Sequence, residues 1–188
     1  MGPCAVQEAR LTQKPPAARR RELQLVSARV QPEVKFQVEP FYVIARELPP
    51  LFKQHWRELG RDRDEVILDP WWDKYMQEAI AGNLQILTAR AGEELVGYIF
   101  YLIGPHLHYK SARHATVDMY WLDPRFLRGW IGYKMFRAYD NELKRLGVVR
   151  SYIGENLSFK GKHGRMMRVI LKRFGYRPCD VMYRKIVR

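Results

Sequence analysis

Between Ala115 and Ile153 the chain reads as strand, helix, strand, and that order leaves few folds open. The run Ala115-Thr116-Val117-Asp118-Met119-Tyr120-Trp121-Leu122 has the aromatic and β-branched content of a strand. Asp123-Pro124 ends it. A helix is predicted from about Ile131 to Leu146, closed by Gly147. A further strand is predicted from Val148 to Ile153. Strands joined through a helix lie parallel in one sheet, with the helix packed on a face.

The flanking sequence fills in the remaining elements. Phe41-Tyr42-Val43-Ile44-Ala45 reads as a strand, and Pro49-Pro50 stand where a helix begins. Leu51, Phe52, His55, Trp56 and Leu59 recur at helical spacing, with Gly60 as the stop. A second helix is predicted from Pro70, with Asp69 as its N-cap and Gly82-Asn83 as its end. Leu84 to Ala89 and Leu95 to Leu102 read as hairpin strands, the second stopped by Gly104-Pro105. A last helix from about Gly164 to Phe174 and a last strand, Val181 to Val187, complete the chain. The expected order is β-α-α-β-β-β-α-β-α-β. This is an α/β arrangement with a central mixed β-sheet flanked by helices on both faces. Residues 36–188 are expected to form this domain. Residues 1–35 are expected to form a basic extension, because Lys14-Pro15-Pro16-Ala17-Ala18-Arg19-Arg20-Arg21 has little to bury.

Composition narrows the function classes. Of 188 residues, 47% are apolar and 13% aromatic, enough for a real core. No apolar run reaches membrane-helix length, and Met1 to Arg21 lacks the apolar stretch of a secretory signal. Cys4 and Cys179 sit far apart and form no disulfide framework, which suits a cytoplasmic protein. The net charge is +13, and from Arg150 to Arg188 the only acids are Glu155 and Asp180. That balance favours an anionic partner: a phosphorylated cofactor, nucleic acid or an acidic surface. Lys160, Lys162, Arg165 and Arg168 are the cluster that would meet it.

The element order, together with Asp123 to Gly132, resembles the GNAT superfamily of acyl-CoA-dependent N-acetyltransferases. That pattern is a strand, a Pro, then a loop of Gln/Arg-x-x-Gly-x-Gly/Ala opening a long helix. Gly132 lies eight residues after Pro124, at the family's spacing to its last loop glycine. Ile131-Gly132-Tyr133-Lys134-Met135-Phe136 resembles the start of the cofactor helix, and Phe174-Gly175-Tyr176 resembles the family's ending. The loop also departs from the pattern. Leu127 holds the Gln/Arg place, Trp130 holds the first glycine's place, and the pair Arg128-Gly129 comes between them. Leu171 stands where the family often has a general-acid Tyr. His106-Leu107-His108-Tyr109 is similar to acetyltransferase-like proteins of bacteriophages.

The resemblance implies that acetyl-CoA binds between the fourth and fifth strands, against Leu122, Arg125, Arg128, Gly129, Trp130, Ile131, Gly132 and Tyr133. Acetyl transfer to an amine needs the thioester held, its carbonyl polarised, and a proton taken from the ammonium. Asp118 is expensive to bury among Val117, Met119 and Trp121 unless it is paired or useful, so it is the first candidate base. Glu155 is the second. Salt-bridging of Asp118 to Arg113 or to a neighbouring strand is the structural alternative. His106, His108 and His114 lack a metal-ligand spacing with Cys or carboxylates and are expected to line the acceptor pocket or simply to pack with Tyr109. The expected partners are acetyl-CoA and an amine acceptor, with no membrane, in a monomer or homodimer. The competing expectation is a protein of the same fold without chemistry, associated with phage structural proteins or nucleic acid.

Overall fold

Five strands in the order β1-β2-β3-β4-β5 form one mixed sheet. The computed structural model describes residues 33–59, 65–127, 129–155 and 162–187. The expected extension up to residue 32, the Gly60 stop, Arg128 and Lys160 lie outside the described residues. Strands β1 (Val34–Val38), β2 (Leu84–Ala91), β3 (Glu94–His106) and β4 (Tyr109–Leu122) pair antiparallel in turn. Only β5 (Arg150–Tyr152) lies parallel to its neighbour, β4. That is the pairing the strand-helix-strand order demands.

Among the described residues, five helices cover the sheet. On one face lie α1 (Phe41–Ile44), α2 (Leu48–Leu59) and α3 (Trp72–Ile80). Phe41, Ile44, Leu48 and Phe52 pack there against Tyr98, Phe100 and Trp121. On the other face lie α4 (Ile131–Arg145) and α5 (Lys162–Arg173). Met135, Phe136, Tyr139 and Leu143 form the buried stripe of α4, packed on Ile99, Tyr101 and Val117. Each such side chain contributes about 1.5–3 kcal/mol on burial. Gly147, at φ +65°, ends α4 as the sequence predicts.

Several expected elements are corrected. Phe41–Ala45 is not a strand: Phe41 and Ile44 are buried three residues apart while Tyr42 and Val43 face out, so the period is helical. The first strand is instead Val34–Val38. Helix α3 begins at Trp72 with Trp71 as its cap residue and no side-chain cap, so Asp69 does not cap it. Gly104-Pro105 does not stop β3. The Ile103 N–H donates to the Asn83 carbonyl, so the nitrogen of Pro105 faces the same side, beyond the start of β2. No ladder bond is lost there, and β3 runs on to His106 in a hairpin with β4. The expected strand Val181–Val187 is absent from the sheet, and Val181, Met182, Tyr183 and Val187 are exposed. With only three residues, β5 offers too short an edge to pair a seven-residue strand.

Gly97 is required where β3 meets the end of β4. A Cβ there would lie 2.9 Å from both Leu122 Cδ1 and the Trp121 carbonyl oxygen. The carbonyl is backbone and cannot retreat without moving β4. Gly97→Ala is therefore expected to cost about 1–3 kcal/mol by overpacking. Thermal unfolding should show a melting temperature lower by about 2–4 °C for each kcal/mol. An unchanged value would mean that β4 shifts there at no cost.

Candidate active site

Strand β4 carries the site, and a bulge sets its shape. Phe100 pairs with Met119 and Tyr101 with Val117, so Asp118 is the extra residue of a β-bulge. On the other edge, β5 pairs with β4 only from His114 to Thr116. Beyond Thr116, β4 continues to Leu122 with no partner strand on that side among the described residues. The two parallel strands thus part at the bulge and leave a wedge. Backbone N–H groups in the unpaired stretch of β4 are free to meet a ligand.

The wedge is flanked by α4 and α5. Asp123 caps the 3₁₀ turn Pro124–Phe126 by accepting from the Arg125 N–H, and the chain then turns through Gly129, at φ +81°, into α4. Trp130 is the N-cap residue and supplies no side-chain hydrogen bond. The first-turn N–H groups of α4 therefore have no acceptor within the helix, and the dipole makes this end attractive to anions. Ile131 packs in the same cluster as Tyr120, Leu122 and Ile153. A Cβ on Gly132 would come no closer than 3.8 Å to Ile170 of α5, an ordinary contact. The exposed Trp130 sits edge-on to Tyr133, which stacks on Phe174 under the Arg173 guanidinium.

The named residues divide among several roles. Leu122, Gly129, Trp130, Ile131, Gly132 and Tyr133 follow one another from the end of β4 into α4. Arg125 is ion-paired to Asp123 and Glu94. Those carboxylates hold its guanidinium at the base of the turn. Glu155 lies 3.4 Å from Arg168, so its charge is matched across to α5. Arg165 is exposed on the same helix. Leu171 is buried in the core, leaving no acid at that place. Tyr176 donates to Ser151 Oγ at 2.9 Å, and the Tyr139 hydroxyl lies 3.0 Å from the same oxygen, tying α4, β5 and the segment after α5 together.

Asp118 faces the other way from the wedge, toward α2 and α3. It lines a cavity of about 980 Å³ whose walls include Trp56, Ile67, Trp71, Tyr75 and Met119. Solvent reaches the carboxyl, but the apolar walls desolvate it and raise its pKa above the ordinary aspartate range. Tyr75, packed nearby, is pushed up to about 12 by burial and by the charge of Asp118. Arg113 does not pair with Asp118; its guanidinium donates to the Leu146 carbonyl. His114 and Thr116 line the same cavity, in step with Asp118 along β4.

Two features escaped the sequence reading. Tyr120 stands on the α4 side of the wedge, near Glu155, and burial together with that carboxylate pushes its hydroxyl up to about 12. The bulge itself leaves no local signature in the sequence. Beneath the cavity floor, His55 Nδ1 lies 2.9 Å from the Tyr98 hydroxyl, and Trp121 donates to Glu58 at 3.0 Å. Burial lowers the His55 pKa to about 4, so the ring is neutral and structural.

No family model and no curated protein matches the sequence. Solved structures do match the fold. A GCN5-related N-acetyltransferase from Ralstonia eutropha JMP134 is similar with a TM-score of 0.63 at 16% identity, over 82% of this chain and 99% of that one. An aminoglycoside acetyltransferase from an uncultured soil metagenomic sample, in complex with sisomicin, gives 0.64 at 10% identity, over 82% and 97%. A predicted acetyltransferase with acetyl-CoA from Clostridium acetobutylicum gives 0.60 at 13% identity, over 82% and 96%. The chain therefore has the GNAT acetyltransferase fold, a mixed five-stranded sheet flanked by helices. Among the described residues no helix is long and apolar enough to cross a membrane.

Proposed function

We propose that the protein is an N-acetyltransferase that moves the acetyl group of acetyl-CoA to an amine. One observation carries the reading: the β4–β5 wedge and the Asp118 cavity open on opposite sides of the same bulge. A thioester entering from the wedge and an amine entering from the cavity would meet at one strand. In this reading the diphosphate rests on the N–H groups of Trp130, Ile131, Gly132 and Tyr133, with Gly129 letting the backbone approach.

The chemistry then needs few groups. Asp118, its pKa raised by its apolar walls, takes a proton from the ammonium, directly or through water. The amine nitrogen attacks the thioester carbonyl carbon, and a free β4 N–H steadies the developing oxyanion. The carbon–sulfur bond breaks, the nitrogen gives up its second proton to water as the amide forms, and the thiolate leaves to be protonated. Tyr120 is the proton donor on the wedge side. Glu155, already matched by Arg168, serves binding rather than proton transfer.

Calorimetry with acetyl-CoA tests this reading. Gly129→Val forces a β-branched residue into a conformation that L side chains rarely adopt. Its affinity for acetyl-CoA should fall at least about tenfold, given strain of about 1–3 kcal/mol. Micromolar binding that survives this change would remove the helix N-terminus from the site. No binding by the unaltered protein would overturn the proposal in favour of a scaffold without chemistry.

A further inference from the structure

Trp130 stands at the N-cap of α4 with 69% of its surface exposed, yet it is held in place. Its carbonyl accepts the Lys134 N–H at 2.8 Å, which fixes the backbone. Its ring meets Tyr133 edge to face, with centroids 5.6 Å apart and an angle of 84° between the planes. Tyr133 stacks on Phe174 at 5.2 Å and 28°. Phe174 in turn packs against the core cluster between α4, α5 and the sheet. The indole is therefore the outer end of an aromatic column rooted in the core. An apolar ring kept in water forgoes the free energy of burial. A ring that is both held and wet is a preformed platform, and a flat ligand loses less entropy in settling on it.

Charge around the column narrows the ligand. The Arg173 guanidinium carbon lies 5.7 Å from the Tyr133 ring centroid, so the cation and the indole are neighbours of the same ring. Arg125 and Arg168 are committed to carboxylates. Arg173 is exposed and pairs with no carboxylate among the described residues. Trp130 itself opens α4, whose first-turn N–H groups attract anions. The platform thus has anion-attracting groups near it from two elements. A flat base joined to a sugar that carries phosphate at two positions matches all three features, and a purine nucleotide is such a molecule. An aliphatic chain would gain nothing from Arg173, and inorganic phosphate nothing from the indole.

Resting on the acetyl-transfer reading, we propose that the Trp130 indole and the Arg173 guanidinium form a subsite for the purine base of the donor and the phosphate on its ribose. Trp130 stands where the resemblance puts a loop glycine, so the bulk that departs from that pattern becomes a contact. The donor is then held at its nucleotide end as well as at its diphosphate, and a thioester on phosphopantetheine alone is a poor substitute.

Adenosine 3′,5′-bisphosphate, which lacks the thioester arm, is the direct probe. Titrated into the full chain, it should quench tryptophan fluorescence. Trp130→Leu keeps the backbone N–H and removes the indole. It should abolish the quenching and weaken both the bisphosphate and acetyl-CoA by about fivefold to 150-fold, the worth of one stacked base. Trp130→Phe should restore part of that affinity. S-acetyl-phosphopantetheine should bind the unaltered protein at least about tenfold more weakly than acetyl-CoA, and should change less than about twofold in Trp130→Leu. Arg173→Gln should weaken the bisphosphate and leave ADP, which has no phosphate on that side of the ribose, unchanged. Undiminished acetyl-CoA affinity in Trp130→Leu, or an equal loss for acetyl-CoA and S-acetyl-phosphopantetheine, would overturn the inference while leaving the acetyl-transfer reading intact. Quenching by the bisphosphate in a protein that does not bind acetyl-CoA would sink that reading and leave the nucleotide subsite standing.

Discussion

Asp118→Asn should lower kcat by about 100-fold or more while leaving the protein at least as stable as before. General-base catalysis contributes roughly 10²–10⁴ in rate, and the amide cannot accept the ammonium proton. The stability half of the prediction follows from the raised pKa of Asp118. The folded state holds the proton more tightly than the unfolded chain, so stability falls as pH rises from the unfolded value through the folded one. At neutral pH the ionised carboxylate is a cost to the fold, and the neutral amide relieves it. The kcat/KM profile of the unaltered protein should show an inflection above the ordinary aspartate range that is missing in the variant. A lower melting temperature with activity retained would make Asp118 a structural acid and sink its role as base. Among the described residues no salt bridge holds it in such a role.

The run of β4, α4 and β5 was legible in the sequence, whereas the expected last strand was not found. Helix α4 has a strong apolar stripe, a proline-bounded start and a glycine at its end, all local signals that its packing reinforces. Asp118 stood out because a carboxylate in an apolar strand conflicts with its surroundings, and such conflicts gather at working sites. What stayed hidden depends on pairing. The bulge exists only relative to β3, and the wedge only relative to the point where β5 ends. Tyr120 and His114 acquire their meaning from those neighbours. Phe41–Ala45 misled because four or five aromatic and β-branched residues suit either period, and burial of Phe41 with Ile44 decided for the helix. Val181–Val187 has strand composition, but composition cannot supply an edge of sufficient length.

Arg90→Ala should be the most destabilising single change among the ion-paired residues, and its penalty should depend on pH. Arg90 lies in β2 with its side chain only 14% exposed, and Glu39, between β1 and α1, is 7% exposed. The guanidinium holds Glu39 through Nε at 2.7 and 2.9 Å, Glu47 at 2.8 and 3.1 Å, and the Glu93 carbonyl at 2.7 Å. It thereby fastens the entry to α1 and α2 onto the sheet that carries the site. Removing one partner of a buried pair costs about 3–5 kcal/mol, because the other charge is left uncompensated. For a chain of this length that lowers the melting temperature by about 10 °C. In the unaltered protein, burial tends to raise the Glu39 pKa. Hydrogen bonds from Arg90 and Gln37, with the Arg90 charge and Thr88, outweigh it, and the net shift is downward. The stability Glu39 contributes is therefore full above its unfolded value near 4.5 and is lost as pH falls through the lower folded value. Without Arg90 the balance reverses: burial dominates, the folded pKa rises, and the ionised group weakens the fold as pH rises through that window. The gap in melting temperature between the two proteins should thus be widest near neutral pH and narrow steadily toward pH 4. A gap that stays constant across that range would show that the loss comes from packing alone, and that the charge pairing contributes nothing to holding α1 and α2 in place.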